Sequence, residues 1–292
     1  MNSNTLYKSL VDYVDIYYLS EHIILDDIQA YIRYPNYNHI YDKLWLSKSQ
    51  GMPSGPIGIY PRSYPIIFKP IVNLYGMSRG FKRIDSIDDY ELYAKDGFFW
   101  QPFFKGDHIT IDIVLNDRNV LFYSALKSIA DIDGSFKVHY TLKNWTIPKW
   151  LSDWIDTHMV GYSGCMNIEI IGNVIIEAHL RLNGDFQLYA LDFCKQLSAL
   201  YESNFISAKP IRYQVPMIYL FPLFIKRSSI LVFKKQKTSI KRILSKSETV
   251  RTYFFDTIDS LNQGTLIRVA MFDTYDYSSG SKLQSFIKKL CN

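Results

Sequence analysis

The sequence predicts an α+β protein in which antiparallel sheets carry helices on one face. Three observations lead there. Apolar segments of strand character interleave with amphipathic segments of helical period, without the regular strand–helix–strand alternation of a parallel sheet. The dipeptide Gly172-Asn173 joins two β-type segments, a strong short hairpin signal. An apolar fraction of 48% against 21% charged residues, in a chain of 292, supplies a buried core and excludes the composition of disorder.

Taken in order, residues 1–42 read as partly helical, because Leu6, Leu10, Val14 and Tyr17 recur near the helical period. DKLWLSKSQGMPSGP is a helix ended by Gly51 and Pro53. SYPIIFKP is a short strand and NLYGMSRG a glycine-bounded loop. SIDDYELYA opens on Ser86 as a helix cap, with acids in its first turn. GFFWQPFFKGDHITIDIVL gives an aromatic strand, a break, and a second strand alternating from His108 onward; VLFYSALKSI continues the sheet. IPKWLSDWIDTHM is an amphipathic helix carrying Trp150, Leu151, Trp154, Ile155 and His158 on one side. CMNIEIIGNVIIEAHLRL is the hairpin and DFCKQLSALYES another helix. The remainder reads as basic strands followed by a final helix near SKLQSFIKKL, and no internal repeat is visible.

Charge and cysteine usage narrow the function classes. The net charge of +5 is uneven: between Phe205 and Arg251 eleven cations face one acid, Glu248. That patch suits phosphate, a polyanion or an acidic substrate, and equally a solvated face that keeps the protein soluble. Cys165, Cys194 and Cys291 share no CxxC spacing, which argues against a disulfide framework or a structural zinc. No charged segment followed by an apolar run opens the chain, and the longest apolar run, VPMIYLFPLFI, is too short for a span and holds two prolines. A cytoplasmic protein without a membrane partner is expected.

Three segments carry candidate chemistry. In YPIIFKPIVNLYGMSRG, Lys69 closes an apolar strand ahead of a loop bounded by Gly76 and Gly80. Such a loop can turn backbone N–H groups toward phosphate oxygens, and the lysine adds a point charge; a strand-ending lysine before a plain turn reads the same way. FFWQPFFKGDH offers aromatic walls for a flat ring, with His108 just past the Gly106 turn; core packing alone would also explain it. NVIIEAHLRLNG sets Glu177, His179 and Arg181 on one strand face, either a solvated surface or a site. Across the turn, Glu169 is the near-opposite neighbour of Glu177, with Cβ atoms roughly 4.5–5.5 Å apart. Two carboxylates that close repel unless a cation lies between them, and Mg²⁺ accepts such a pair together with substrate phosphates.

The order of these pieces over residues 42–200 resembles the ATP-grasp superfamily. The resemblance implies two α+β subdomains with antiparallel sheets gripping ATP between them. It divides the chain into a short N-terminal helical segment (1–42), a nucleotide-binding core (43–204) and a basic C-terminal α+β segment (205–292) that completes the substrate side. By the same likeness Lys43, with Lys48 as a competitor, reaches the nucleotide phosphates from DKLWLSKSQGMPSGP. Lys69 in IIFKP holds phosphates as well, and GMSRG, with Gly76, Ser78 and Gly80, is the mobile loop over ATP. WQPFFKGDHITIDIVL is similar to the adenine hinge: Gln101 and the backbone of Pro102 and Phe104 would face adenine, and His108 would take the ribose position, usually an acid. NIEIIGNVIIEAHLRLNG looks like the metal hairpin, with Glu169 and Glu177 as magnesium ligands, His179 at a position usually held by Asn, and Arg181 beside the acyl phosphate. A nitrogen at His179 suits Mn²⁺ better than Mg²⁺.

The activity so implied is ligation: ATP phosphorylates a carboxylate, and an amine or thiol displaces the phosphate. Small-molecule or peptide carboxylates and amines are the expected partners. The basic stretch matches no recognisable nucleic-acid motif, and an oligomer is compatible with the sequence. Two further readings share the resemblance: a kinase acting on a small anionic substrate, suited to the 205–251 patch, and an ATP-binding protein whose catalysis has decayed.

Overall fold

The structure, a computed structural model, describes residues 11–13, 23–74, 80–131, 135–185, 191–203, 209–210, 215–256 and 266–291. In chain order it begins with β1 (Val11–Tyr13), α1 (Asp27–Arg33), a 3₁₀ turn (Pro35–Tyr41), α2 (Lys43–Ser49), β2 (Gly55–Pro56), β3 (Ile66–Pro70) and β4 (Lys82–Ile84). There follow α3 (Ile87–Tyr93), β5 (Phe98–Pro102), β6 (His108–Asn116), β7 (Asn119–Ala130), β8 (Phe136–Thr141), α4 (Lys149–His158), β9 (Ser163–Ile171) and β10 (Val174–His179). The chain closes with α5 (Leu191–Glu202), β11 (Tyr219–Lys226), α6 (Ile230–Lys246), β12 (Val250–Asp256), β13 (Leu266–Thr274) and α7 (Tyr277–Leu290). Among the described residues no helix is long and apolar enough to cross a membrane.

These elements form two compact units. One comprises Ile24–Tyr123 and Thr146–Leu182, the other Met1–Ile23, Ser124–Trp145 and Asn183–Asn292. Both are assembled from separated pieces of chain. Sheet pairing joins residues far apart in sequence, and that gathers each unit.

In the unit made of Ile24–Tyr123 and Thr146–Leu182, side-chain caps start three of the helices. Asp26 caps α1 by accepting from Gln29 N at 3.0 Å, Asp42 caps α2 from Trp45 N at 2.8 Å, and Ser86 caps α3 from Asp89 N at 3.1 Å. A small antiparallel sheet has the order β2-β5-β3-β4. Alternation divides its faces: Ile66, Phe68, Ile84 and Trp100 pack with Tyr90 of α3 in one buried cluster. The other face of β3 and β5 carries Ile67, Lys69, Phe99 and Gln101, with Ile67 opposite Gln101 and Lys69 opposite Phe99. The same unit holds β6, β9 and β10, antiparallel neighbours in that order, β10 being the edge.

In the other unit the order is β1-β12-β13-β11-β8, continued by the latter part of β7. Helices α6 and α7 lie on this sheet through Phe233, Ile240, Leu244 and Ile287, which pack against Phe221, Leu223, Phe255 and Phe272. A Cβ on Gly280 of α7 would collide with the ring of Phe221, so only glycine permits this approach of helix to strand.

Two expectations are corrected here. Of the segment read as helical from its Leu6, Leu10, Val14 and Tyr17 spacing, the described part, Val11–Tyr13, is extended and pairs with β12. Strand pairing overrides the helical period where β-branched and aromatic residues meet an open edge. The basic run after Arg227, read as strand, is the helix α6: Phe233, Ile240 and Leu244 recur on one face and are buried, while Lys234, Lys235 and Lys241 between them are exposed and Lys237 lies over the Phe255 ring.

Candidate active site

The hairpin of β9 and β10 sets the carboxylates. Glu177 pairs directly with Glu169, Ala178 with Ile168, and His179 with Asn167. Between Ile175 and Glu177 the register shifts, since Ile175 faces Ile170 while Glu177 faces the next residue, Glu169. Ile176 is thus the extra residue of a β-bulge. As β10 is an edge strand, its outward backbone groups need partners, and Gln50 supplies those of Ile175. Its Nε2 donates to Ile175 O at 2.8 Å and to Leu46 O at 2.9 Å, and its Oε1 accepts from Ile175 N at 2.7 Å. One side chain replaces a missing strand at the bulge.

Cations and imidazoles surround the pair. Lys43, the buried first residue of α2, places Nζ 2.7 Å from Oε1 of Glu177. Lys69, buried on β3, donates from Nζ to the Ile176 carbonyl at 3.4 Å. His108 at the start of β6 lies with Nε2 3.1 Å from Oε2 of Glu169. His179, buried, contacts Oδ1 of Asp27 through Nδ1 at 2.9 Å and faces Oε1 of Glu177 through Nε2 at 3.4 Å. Arg181 donates from Nη2 to Oδ2 of Asp27 at 2.8 Å and from Nη1 to the Leu182 carbonyl at 3.0 Å.

Burial and charge oppose each other throughout. Burial pushes Lys69 down to about 8, assisted by Lys43 and resisted by Glu177 and Glu169. Burial would raise Glu177, but Lys43, His179 and Lys69 hold its carboxyl well below the usual range. Glu169 is likewise lowered against burial, chiefly by its hydrogen bond to His108. Burial and Arg181 press His179 downward, yet Asp27 and Glu177 outweigh them and raise it. Asp27 resists burial through Arg181 and His179 and is lowered.

The structure therefore brings Lys43, Lys69, His108, Glu169, Glu177 and His179 together, with Arg181 joined through Asp27. Lys48 is exposed near the end of α2 and takes no part in this cluster. Gln101 shares the strand face of Lys69 and is buried, whereas Pro102 and Phe104, both part-exposed, follow it along the chain. Gly80 has φ +78°, and a Cβ there would meet the Phe98 ring at 2.9 Å. Gly76 and Ser78 lie outside the described residues.

Three further residues of the cluster, Asp27, Tyr41 and Gln50, do not stand out in the sequence. Asp27 looks like an ordinary acid in the first turn of α1. Tyr41, whose hydroxyl accepts from Leu180 N at 3.1 Å, looks like core. Gln50 looks like the tail of a helix. A pair of adjacent acids, Asp26 and Asp27, was the only available hint: the first serves as the cap, which leaves the second for another task.

As for metal, one ligand atom each from Glu169, Glu177 and His179 lie within 4.8 Å of one another. Two anionic oxygens and an imidazole nitrogen in that span fit a divalent cation.

No protein-family model matches the sequence, and no curated protein matches it. Solved structures do resemble the fold. A carboxyaminoimidazole ribonucleotide synthase from Aspergillus clavatus, complexed with ATP, superposes with a TM-score of 0.61 at 12% identity, over 87% of this chain and 73% of that one. An L-amino acid ligase from Bacillus licheniformis gives 0.58 at 11% identity over 87% and 71%. The N5-carboxyaminoimidazole ribonucleotide synthetase of Thermus thermophilus gives 0.56 at 12% identity over 87% and 73%.

Proposed function

The chain has the ATP-grasp fold, and from that premise we propose that it is an ATP-dependent ligase, joining a carboxylate to an amine or thiol through an acyl phosphate and releasing ADP and phosphate. The observation that carries this reading is the directly opposed Glu169–Glu177 pair with Lys43 and Lys69 converging on it. Buried lysines beside paired carboxylates form a site that holds an anion and a cation at once, as a metal–triphosphate requires.

Each residue then has a task. Lys43 and Lys69 bind phosphate oxygens, and their burial strengthens that attraction relative to water. Glu169, Glu177 and His179 would hold divalent cations, Mg²⁺ or Mn²⁺. A cation bound there offsets the charge that builds on the transferring phosphoryl group. Gln101 and the backbone at Pro102 and Phe104 face the adenine, with His108 toward the ribose. In the first step a substrate carboxylate oxygen attacks the γ-phosphorus and ADP leaves with the bridging oxygen. In the second, the amine attacks the acyl carbon, phosphate departs and the nitrogen loses a proton. Arg181, oriented by Asp27, stabilises the developing oxyanion between these bonds. No serine or cysteine nucleophile is required.

The test is a phosphate-release screen of amino acids, peptides and small carboxylates with amines, in Mg²⁺ and then Mn²⁺. A ligase releases phosphate only when acid and amine are both present; phosphate retained on an acceptor hydroxyl would instead identify a kinase. Full turnover by Glu177→Ala on the substrate so found would remove the metal assignment.

A further inference from the structure

We propose that Asp27 and His179 provide the metal position of this site with a nitrogen ligand, so that it selects a first-row transition ion of the Mn²⁺ kind over Mg²⁺. The inference rests on the nucleotide–metal reading above and adds the identity of the ion.

The geometry assigns the two ring nitrogens of His179 different duties. Asp27 receives Arg181 Nη2 on Oδ2 at 2.8 Å and is nine-tenths or more buried, so its carboxylate is compensated and ionised. An ionised carboxylate can only accept, which makes Nδ1 of His179, 2.9 Å from Oδ1, the donor. The inward nitrogen is then Nε2, 3.4 Å from Oε1 of Glu177. That same oxygen is held by Lys43 Nζ at 2.7 Å. Lys43 Nζ and His179 Nε2 thus both face one carboxylate oxygen, and a divalent cation held there would be shared between that oxygen and the ring nitrogen.

The ring is also fixed in orientation. Tyr41 meets it edge-on, with centroids 6.1 Å apart, and the Tyr41 hydroxyl is tied to the Leu180 backbone at 3.1 Å. A carboxylate that orients an imidazole through the far nitrogen is the arrangement that strengthens metal-bound histidine, and losing such a partner costs on the order of 10–100-fold in metal affinity. Mg²⁺ prefers oxygen ligands and gives up water reluctantly, whereas first-row transition ions accept imidazole readily. A cation held by Nε2 and Oε1 would take the place of Lys43 on that oxygen and leave its ammonium for a phosphate oxygen.

Pulsed electron paramagnetic resonance of Mn²⁺ bound to the full chain with ADP tests this directly. The wild-type spectrum should show nitrogen modulation from a coordinated imidazole. The modulation should vanish in His179→Asn and persist in His108→Asn, the control for the second imidazole near Glu169. Competition with Mg²⁺ should show the Mn²⁺ preference falling roughly tenfold in Asp27→Ala. Bound Mn²⁺ without nitrogen modulation in the wild type overturns the proposal and needs no variant to fold; so does modulation that survives in His179→Asn. If neither ion binds in the presence of ADP, the nucleotide–metal reading itself fails, a distinct result.

Discussion

The ammonium of Lys43 lies 2.7 Å from Oε1 of Glu177, and both side chains are largely shielded from water. A lysine at the head of α2 thereby neutralises an acid on the edge strand β10, more than a hundred residues further along the chain.

The first prediction concerns this pair. Removing one partner of a buried ion pair strands the other, at a cost of about 3 kcal/mol. Lys43→Ala should lower the thermal unfolding midpoint by several degrees. Because a metal ion can replace the missing charge, Mn²⁺ should raise the midpoint of the variant more than that of the wild type. Equal metal shifts in the two proteins, read by calorimetry, would show that Lys43 does not stand in for a cation.

Lys69 carries the second prediction, in pH. Its folded value of about 8 lies below the ordinary 10.5, so folding disfavours the ammonium. Between those values the unfolded chain binds more protons, and the contribution of this group to stability rises as pH climbs from about 8 to 10.5. In the proposed function nucleotide binding would run the other way, since phosphate needs the charged form. Affinity for ADP with Mg²⁺ should be highest below pH 8 and roughly tenfold weaker by about pH 9. Lys69→Arg should flatten that profile in isothermal titration; a flat profile in the wild type would sink the assignment.

Gln50 supplies the third. It bonds both backbone groups of Ile175 beside the bulge. Gln50→Ala should cost about 2 kcal/mol in urea denaturation. The Ile175 amide should exchange with solvent markedly faster, while amides of the strand interior, such as Ile111, should not. Uniform acceleration would indicate a general rather than a local role.

The loop before β6 gives the last. Gly106 has φ +144°, and a Cβ there would lie 2.9 Å from the Gly172 backbone nitrogen, so the loop presses on the hairpin turn. Gly97 has φ +79° with nothing within 4 Å of its missing Cβ. Gly106→Ala therefore adds a clash to backbone strain, where Gly97→Ala adds strain alone. The first should destabilise by at least about 1 kcal/mol more than the second. Equal losses would mean that the Gly106–Gly172 contact yields freely.

Legibility in the sequence followed the range of the interaction. Ser86 could be read as a cap because its partner, Asp89, is three residues on. The opposition of Glu169 and Glu177 was readable to within the bulge because a glycine-asparagine turn sets hairpin register locally. The helix Ile230–Lys246 was missed because its lysines masked a buried stripe whose members are spread over several turns. Val11–Tyr13 was misread because a helical period does not reveal a strand partner at residues 254–256.

From the order of residues alone came the α+β class, the hairpin, and the set of lysines, acids and imidazole that resembles a nucleotide site. Those depend on turn chemistry, alternation and spacing, all of which act within a few residues. The pairing of Lys43 with Glu177, the anchoring of β10 by Gln50, and the bridging of His179 and Arg181 by Asp27 required the folded chain. Each joins groups more than a hundred residues apart, and nothing in the local sequence of either partner specifies the other. Their meeting is set by how helices and strands pack, and that packing turns a row of charges into one buried cluster.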